Sequence, residues 1–149
     1  MSRGNIPISA TVQSEHKLHR VALSTGGTSH ALEIAPRSTG AGSSANGGEL
    51  LCLAIATCYC NDVYREAAKR SIPLLRVEVR AEADFGPEGS AATRLSYRVL
   101  VRAKAPESTI ADLIRHTDTV AEVHNTLRLG IPVTLESFEA VSADPEGAS

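Results

Sequence analysis

Three cysteines fall within nine residues of this 149-residue chain, at positions Cys52, Cys58 and Cys60. A cysteine reacts as its thiolate, the form that attacks a peroxide O–O bond or another sulfur. Cysteine is also among the residue types most often buried, and it then packs as a small hydrophobe. From the residues alone, the packing role is favoured for all three cysteines.

Neither a disulfide, a metal nor a cofactor is predicted at these cysteines. Cys58 and Cys60 are two apart on a predicted helix, so they point about 200° from each other, and a disulfide would require local unwinding. No Cys-x-x-Cys pair is present, and a rigid helix cannot bring all three sulfurs to one ion. The Gly/Ser-rich loop Pro36–Gly48 lacks the Lys-Ser/Thr ending of a phosphate-binding loop.

The cysteines lie on the strongest predicted helix, Glu49–Arg70, which contains no Gly or Pro. Ser44 or Asn46 can cap its start. Its first half, up to Cys60, is apolar on nearly every side, and such a pattern predicts a helix buried all round. Its second half is charged, which predicts exposure to solvent. The sequence therefore predicts a long central helix whose first half is buried in the fold.

Cys58 would need a positive charge from outside its own helix to become a thiolate. It lies about ten residues into the helix, and the dipole effect fades beyond the first turn. Burial among apolar side chains would raise the pKa of its thiol. Arg65 shares the helix face of Cys58 but lies two turns away, roughly 10 Å by helical rise, which is too far for direct pairing.

The rest of the chain predicts an α+β fold with a mainly antiparallel sheet and helices on one face. Alternating polar and apolar residues indicate strands on both sides of the central helix, and a second amphipathic helix follows them. The predicted order is β-β-β-α-β-β-α-β. The predicted strands are Pro7–Gln13, Lys17–Ser24, Ser29–Ala35, Leu74–Phe85, Ala92–Ala103 and Ile131–Val141, and the second helix runs from Pro106 to Gly130.

Length and composition favour a single domain over residues 1–149, with a loosely ordered tail from about Ala143. The net charge of −2 and the pI near 6.2 give no reason to expect nucleic acid or an anionic membrane as partner. The longest apolar run, Leu50–Ala56, is too short to cross a bilayer, and Met1–Thr11 does not resemble a signal peptide. We therefore expect a cytoplasmic protein.

His124 is the other side chain with a chemical interpretation. It lies on the apolar face of the second predicted helix, one turn from Ala121. From there it could approach Cys58 and act as a base or a hydrogen-bond donor. The commoner role of a histidine on an apolar face is that of a core residue with satisfied hydrogen bonds, and both roles stay open.

Several stretches of the chain resemble the OsmC/Ohr family. Glu49-Leu50-Leu51 opens a helix that continues to Ala56-Thr57-Cys58, where the family has Pro-Glu-x-Leu-Leu and Ala-Ala-Cys. Asn125-Thr126-Leu127 and Gly130-Ile131-Pro132-Val133 resemble the family's C-terminal stretch. The resemblance spans roughly Lys17–Val141. It implies an OsmC-like fold, an intertwined homodimer and the reduction of organic hydroperoxides.

The resemblance also implies roles for individual residues. Cys58 falls at the position of the peroxidatic thiol, which the family supports with an Arg and a Glu. Glu49 lies one residue after the family's Glu, and Arg20 and Arg37 are the candidates for the Arg. The family's second, resolving cysteine falls on Ala121. This departure implies resolution by an external thiol reductant, or by Cys60 if it can swing round.

The leading hypothesis is an OsmC-like thiol protein that reduces organic hydroperoxides through Cys58, as a thiol-dependent, peroxiredoxin-like reductase. The alternative is a non-catalytic protein of the same fold that binds a small apolar ligand at the dimer interface. The missing resolving cysteine and the shifted Glu favour the alternative. The two hypotheses differ in whether Cys58 reacts with peroxide.

Overall fold

The structure is a computed structural model that describes residues 4–143, so the predicted loose tail lies almost entirely outside the described residues. Strands and helices are mixed, and every strand pair is antiparallel, which confirms the predicted α+β class. The elements are β1 (Ile8–Glu15), β2 (Leu18–Thr25), β3 (Thr28–Ala31), α1 (Gly47–Lys69), β4 (Leu74–Phe85), β5 (Ala92–Ala103), α2 (Glu107–Val120) and α3 (Glu122–Leu129).

The strands form two separate antiparallel sheets instead of one. A three-stranded sheet has the order β1-β2-β3, and a two-stranded sheet pairs β4 with β5. In the second sheet Val79 lies opposite Val99 and Val77 opposite Val101, which places these four valines at matching positions of the long hairpin. This hairpin has the bounds that the alternation of its residues predicted.

Helix α1 begins with a capping box. The Asn46 side chain accepts a hydrogen bond from the Glu49 backbone N–H at 2.8 Å, and the Glu49 carboxylate accepts one from the Asn46 N–H at 3.0 Å. Of the two predicted caps, Asn46 is therefore the one used. At the other end, Ser71 has a φ of 54°, in the left-handed region, and lets the chain turn into β4. These local signals set the two ends of α1. The helix packs against β4.

The core is formed around one face of α1 that runs from Ile55 to Ala67, so the prediction that the first half is buried on every side is wrong. Tyr59, Val63 and Ala67 are buried together with Leu113 of α2 and Ile72. In the first half, up to Cys60, Leu53 is 53% exposed, whereas Ile55 and Tyr59 are buried. The physical reason is that β4, α2 and α3 pack against one face of α1 and leave Leu53 on its other face exposed.

Two further predictions about the C-terminal part of the chain are wrong. The second predicted helix is interrupted at Ala121, whose backbone is extended, so α2 and α3 are separate helices. The predicted strand over Ile131–Val141 is irregular, because a strand needs a neighbouring strand to satisfy its backbone and none pairs with it among the described residues. Gly130 ends α3 as predicted, with a φ of 64° that favours glycine.

No helix within residues 4–143 is long and apolar enough to span a membrane.

Candidate functional site

Cys58 lies midway along α1, partly buried, with two polar neighbours. Its thiol donates to Oδ2 of Asp62, one helical turn later, over 3.4 Å. The backbone of Val123, at the start of α3, lies near the sulfur and lowers the pKa of the thiol. The helix spacing of four residues accounts for the first contact, and the packing of α3 on α1 accounts for the second.

Two carboxylates and one guanidinium complete what we call the thiol–carboxylate cluster, formed by Cys58, Asp62, Arg65 and Glu122. Arg65 Nη1 lies 3.1 Å from Asp62 Oδ1 and 3.0 Å from Glu122 Oε1. Asp62 is buried, and a carboxylate oxygen of Glu122 lies within 4.8 Å of one of its own. Arg65 is therefore linked to the thiol through Asp62, in keeping with its predicted distance from Cys58.

The surroundings of Cys58 favour the protonated thiol. Burial raises the pKa of the Cys58 thiol, and the negative charges of Asp62 and Glu122 raise it further, while the Val123 backbone acts in the opposite direction. Burial and the neighbouring Glu122 carboxylate also raise the pKa of Asp62. Burial alone would raise the pKa of Glu122, but interactions with Asp62 and Arg65 outweigh it and lower that pKa.

The same cluster contains three atoms that could in principle bind a metal ion. One ligand atom each from Cys58, Asp62 and Glu122 lies within 4.8 Å of the others. A thiolate with two carboxylates is a donor set that a divalent transition metal accepts. The donors fit such an ion poorly here, because Arg65 already neutralises both carboxylates and the thiol is held in its protonated form.

The family of the chain follows from comparison with known proteins. The family model described as OsmC-like protein matches residues 40–136, which include α1, both strands of the long hairpin, α2 and α3. This chain belongs to the OsmC-like family. No curated protein matches it.

Solved structures share the OsmC-like fold at low sequence identity. The OsmC-like protein of Mycoplasma pneumoniae is 14% identical, with 85% of this chain and 89% of that chain covered, and a TM-score of 0.58. An OsmC-like protein of unknown function from Vibrio cholerae is 11% identical, with 83% and 94% covered, and a TM-score of 0.54. An OsmC-like hydroperoxide resistance protein from Jannaschia is 12% identical, with 93% and 95% covered, and a TM-score of 0.50.

Within this OsmC-like chain, the other residues predicted to support Cys58 lie elsewhere. Glu49 is held in the capping box of α1. Arg20 lies on β2, and the Arg37 Nε donates to the Ser43 carbonyl at 3.2 Å inside the loop. No hydrogen bond between described residues links Glu49, Arg20 or Arg37 to Cys58. Their roles stay predictions, since an intertwined homodimer could bring them to a partner's thiol.

The two predicted neighbours of Cys58 have different surroundings. Cys60 lines a small cavity with Asn61 and Val79. His124 is buried with its ring 4.6 Å from that of Tyr97, and neither ring nitrogen has a hydrogen-bond partner. His124 is therefore a core residue of α3 without a hydrogen bond to Cys58, and its polar atoms are not satisfied.

Sequence reasoning missed Asp62, Glu122 and the Val123 backbone as neighbours of the thiol. The signal for Asp62 was present, because residues four apart on a helix share a face. Glu122 and Val123 could not be found in this way, since their approach to Cys58 depends on how α3 packs on α1. The interruption of the second helix at Ala121 is what lets the first turn of α3 meet the thiol.

Proposed function

We propose that this OsmC-like protein is a thiol-dependent hydroperoxide reductase in which Cys58 is the only reacting cysteine. The observation that carries the proposal is the contact of the Cys58 thiol with a buried carboxylate of raised pKa and with the Val123 backbone. A nucleophile beside a base that is itself oriented by a third group is the usual arrangement of an activated side chain. Arg65 is the orienting group here.

The proposed cycle begins with transfer of the Cys58 thiol proton to Asp62. The thiolate attacks the outer oxygen of the hydroperoxide ROOH, the O–O bond breaks, and the alkoxide leaves as the alcohol after taking the proton from Asp62. Cys58 is then a sulfenic acid. One external thiol displaces water from it to form a mixed disulfide, and a second thiol regenerates Cys58. The sum is ROOH plus two thiols giving an alcohol, water and one disulfide.

The position of the thiol on α1 supports an organic substrate and an external reductant. The turns before Cys58 carry Leu50–Ala56, whose side chains would favour an alkyl group over hydrogen peroxide. The resolving position of the family is Ala121, which cannot form a disulfide. An external thiol pool of this kind is typical of a reducing compartment, so we propose a cytoplasmic location.

We also propose that the protein acts as a homodimer. Large apolar side chains of α1, β5 and the irregular C-terminal segment are each more than half exposed to water. A second copy would cover them and give the segment over 131–141 a strand partner. They are Leu53, Leu100, Val133, Leu135, Phe138 and Val141. Light scattering should report twice the 15.7 kDa mass of the chain, and a monomer at micromolar concentration would contradict this.

A second function is favoured by one specific observation. The raised pKa of the Cys58 thiol reduces the thiolate fraction at neutral pH. An OsmC-fold protein that binds a small apolar ligand without chemistry needs no thiolate. The alternative is therefore a non-catalytic binding protein with Cys58 as a partly buried packing residue.

The experiment that separates the two functions follows cumene hydroperoxide consumption with dithiothreitol as reductant. The reductase should lose its activity in Cys58→Ser and keep it in the matched variants Cys52→Ser and Cys60→Ser. Mass spectrometry should find sulfenic acid or its products on Cys58 after peroxide treatment. A Cys58 that remains a free thiol under excess peroxide contradicts the reductase and supports the binding protein.

A further inference from the structure

A second site is indicated by His124, whose side chain is 5% exposed and whose two ring nitrogens both lack a hydrogen-bond partner. Nearly all buried polar groups in folded proteins are hydrogen-bonded, and an unpaired one is unfavourable. The ring is held between Tyr59 and Tyr97, at centroid distances of 6.0 and 4.6 Å. The packing thus fixes an imidazole in place and leaves its polar atoms unused.

His124 lines a cavity of about 410 Å³ between α1, β5 and α3, which we call the His124 cavity. Ile55, Leu95 and Leu127 line its apolar part. Its size lies within the range of small-molecule sites, and an apolar lining with few polar groups is typical of such sites. Cys58 does not line the cavity, so this site is separate from the thiol–carboxylate cluster.

The charges around the His124 cavity are already balanced. Arg128 Nη2 lies 2.7 Å from Asp118 Oδ1, and the Tyr97 hydroxyl also donates to Asp118. Burial and the nearby Arg128 lower the pKa of His124, so its ring is neutral, with one N–H donor and one acceptor nitrogen. A charged ligand would find no free counter-charge among these groups, whereas a neutral hydrogen-bonding group would find a partner.

We infer that the His124 cavity binds a small neutral organic molecule with an apolar body and one hydroxyl, held by a hydrogen bond to His124. The apolar body lies against Ile55, Leu95 and Leu127. The hydroxyl either accepts from the ring N–H or donates to the other ring nitrogen. This inference does not rest on the proposed function, because it uses neither Cys58 nor peroxide.

The test uses the full-length protein and cyclohexanol as the probe, with cyclohexane and cyclohexanecarboxylate as comparators. Titration calorimetry should find cyclohexanol bound about tenfold more tightly than either comparator, the factor expected from one hydrogen bond of about 1.4 kcal/mol. His124→Phe keeps an aromatic ring and should remove the preference. Leu129→Ala, on α3 but outside the cavity lining, should bind as the wild type does.

A second measurement stands even if His124→Phe fails to fold. In ¹⁵N-labelled wild-type protein, cyclohexanol should shift the ring-nitrogen resonances of His124 and leave those of His116 in place. Equal affinity for cyclohexanol and cyclohexane, or unmoved His124 resonances, would overturn the inference, as would a cavity filled by a second copy of the chain. Cys58→Ser should bind cyclohexanol normally, so failure of this site and failure of the proposed reductase are distinguishable.

Discussion

The two halves of α1, divided at Cys60, have opposite composition, and burial does not follow that composition. The first half is almost wholly apolar, yet Leu53 is 53% exposed there. The second half carries Asp62 and Glu66, which are 6% and 4% exposed, beside the fully buried Val63. Hydrophobicity therefore does not decide which residues of α1 are covered within one chain. Contact with β4, α2 and α3 decides it, and the buried carboxylates are tolerated because cations bind them.

The hydrogen-bonding partners of the buried Glu66 carboxylate come from α1 and α2. Glu66 accepts hydrogen bonds from Arg65 at 2.8 Å and Lys69 at 3.0 Å, and pairs with His116 of α2 at 2.9 Å. These contacts lower the pKa of Glu66 to about 2. In the first half, Leu53 is 53% exposed, and the homodimer proposed above would cover it.

The largest expected effect is loss of stability when the buried face of α1 is truncated. Tyr59→Ala removes a fully buried ring and its 2.9 Å hydrogen bond to the Ile114 carbonyl, so we expect a loss of about 4 kcal/mol in the free energy of unfolding. The matched variant at an exposed position of the same helix, Leu53→Ala, should change that free energy by less than about 0.5 kcal/mol in the monomer. Urea denaturation measures both, and similar losses would abolish the contrast.

The next effect concerns the chemistry of Cys58. Asp62→Asn removes a negative charge beside the thiol, so the pKa of Cys58 should fall and its alkylation by iodoacetamide should begin at lower pH. Peroxide reduction should nevertheless slow about 100-fold, because the alcohol then lacks its proton donor. The alkylation of Cys60 in the same samples is the control. If Asp62→Asn raises both the alkylation rate of Cys58 and the rate of peroxide reduction, Asp62 does not act as the proton carrier.

A smaller effect on stability is expected at the start of α1. Asn46→Ala removes the side-chain oxygen of the capping box and should lower the free energy of unfolding by about 1 kcal/mol. Ser44→Ala is the control, because Ser44 precedes the helix without capping it, and it should change stability by less than about 0.5 kcal/mol. Equal effects in thermal denaturation would mean that the capping box does not hold the start of α1 in place.

The smallest effect is expected from titrating Glu66. Its folded pKa lies below the usual 4.5 of a glutamate, so its stabilising contribution is present above about pH 4.5 and is lost as the pH falls towards 2. The loss should be small because Lys69 is 64% exposed and Arg65 is 39% exposed, where solvent screens ion pairs. Glu66→Gln should flatten stability against pH, and Glu78→Gln, with a side chain 57% exposed, should not.

The elements and the family could be predicted from the sequence because their signals are local. The Asn46 cap, the uninterrupted helix after it, the alternation of β4 and β5 and the stop at Gly130 each depend on residues a few positions apart. The residues of the Cys58 site were only partly predictable. Asp62 shares a helix face with Cys58, so its approach follows from spacing, whereas that of Glu122 does not.

The sequence by itself determined that Cys58 lies on a long apolar helix in an α+β fold, since periodicity and turn residues specify such elements, and its motifs resembled the OsmC/Ohr family. Only the tertiary structure decided that Asp62 and Glu66 of the charged half are buried and that the thiol meets carboxylates before any arginine. The reason is distance along the chain. Arg65 and Glu122 are 57 residues apart and meet through the packing of α3 on α1, which no local pattern encodes.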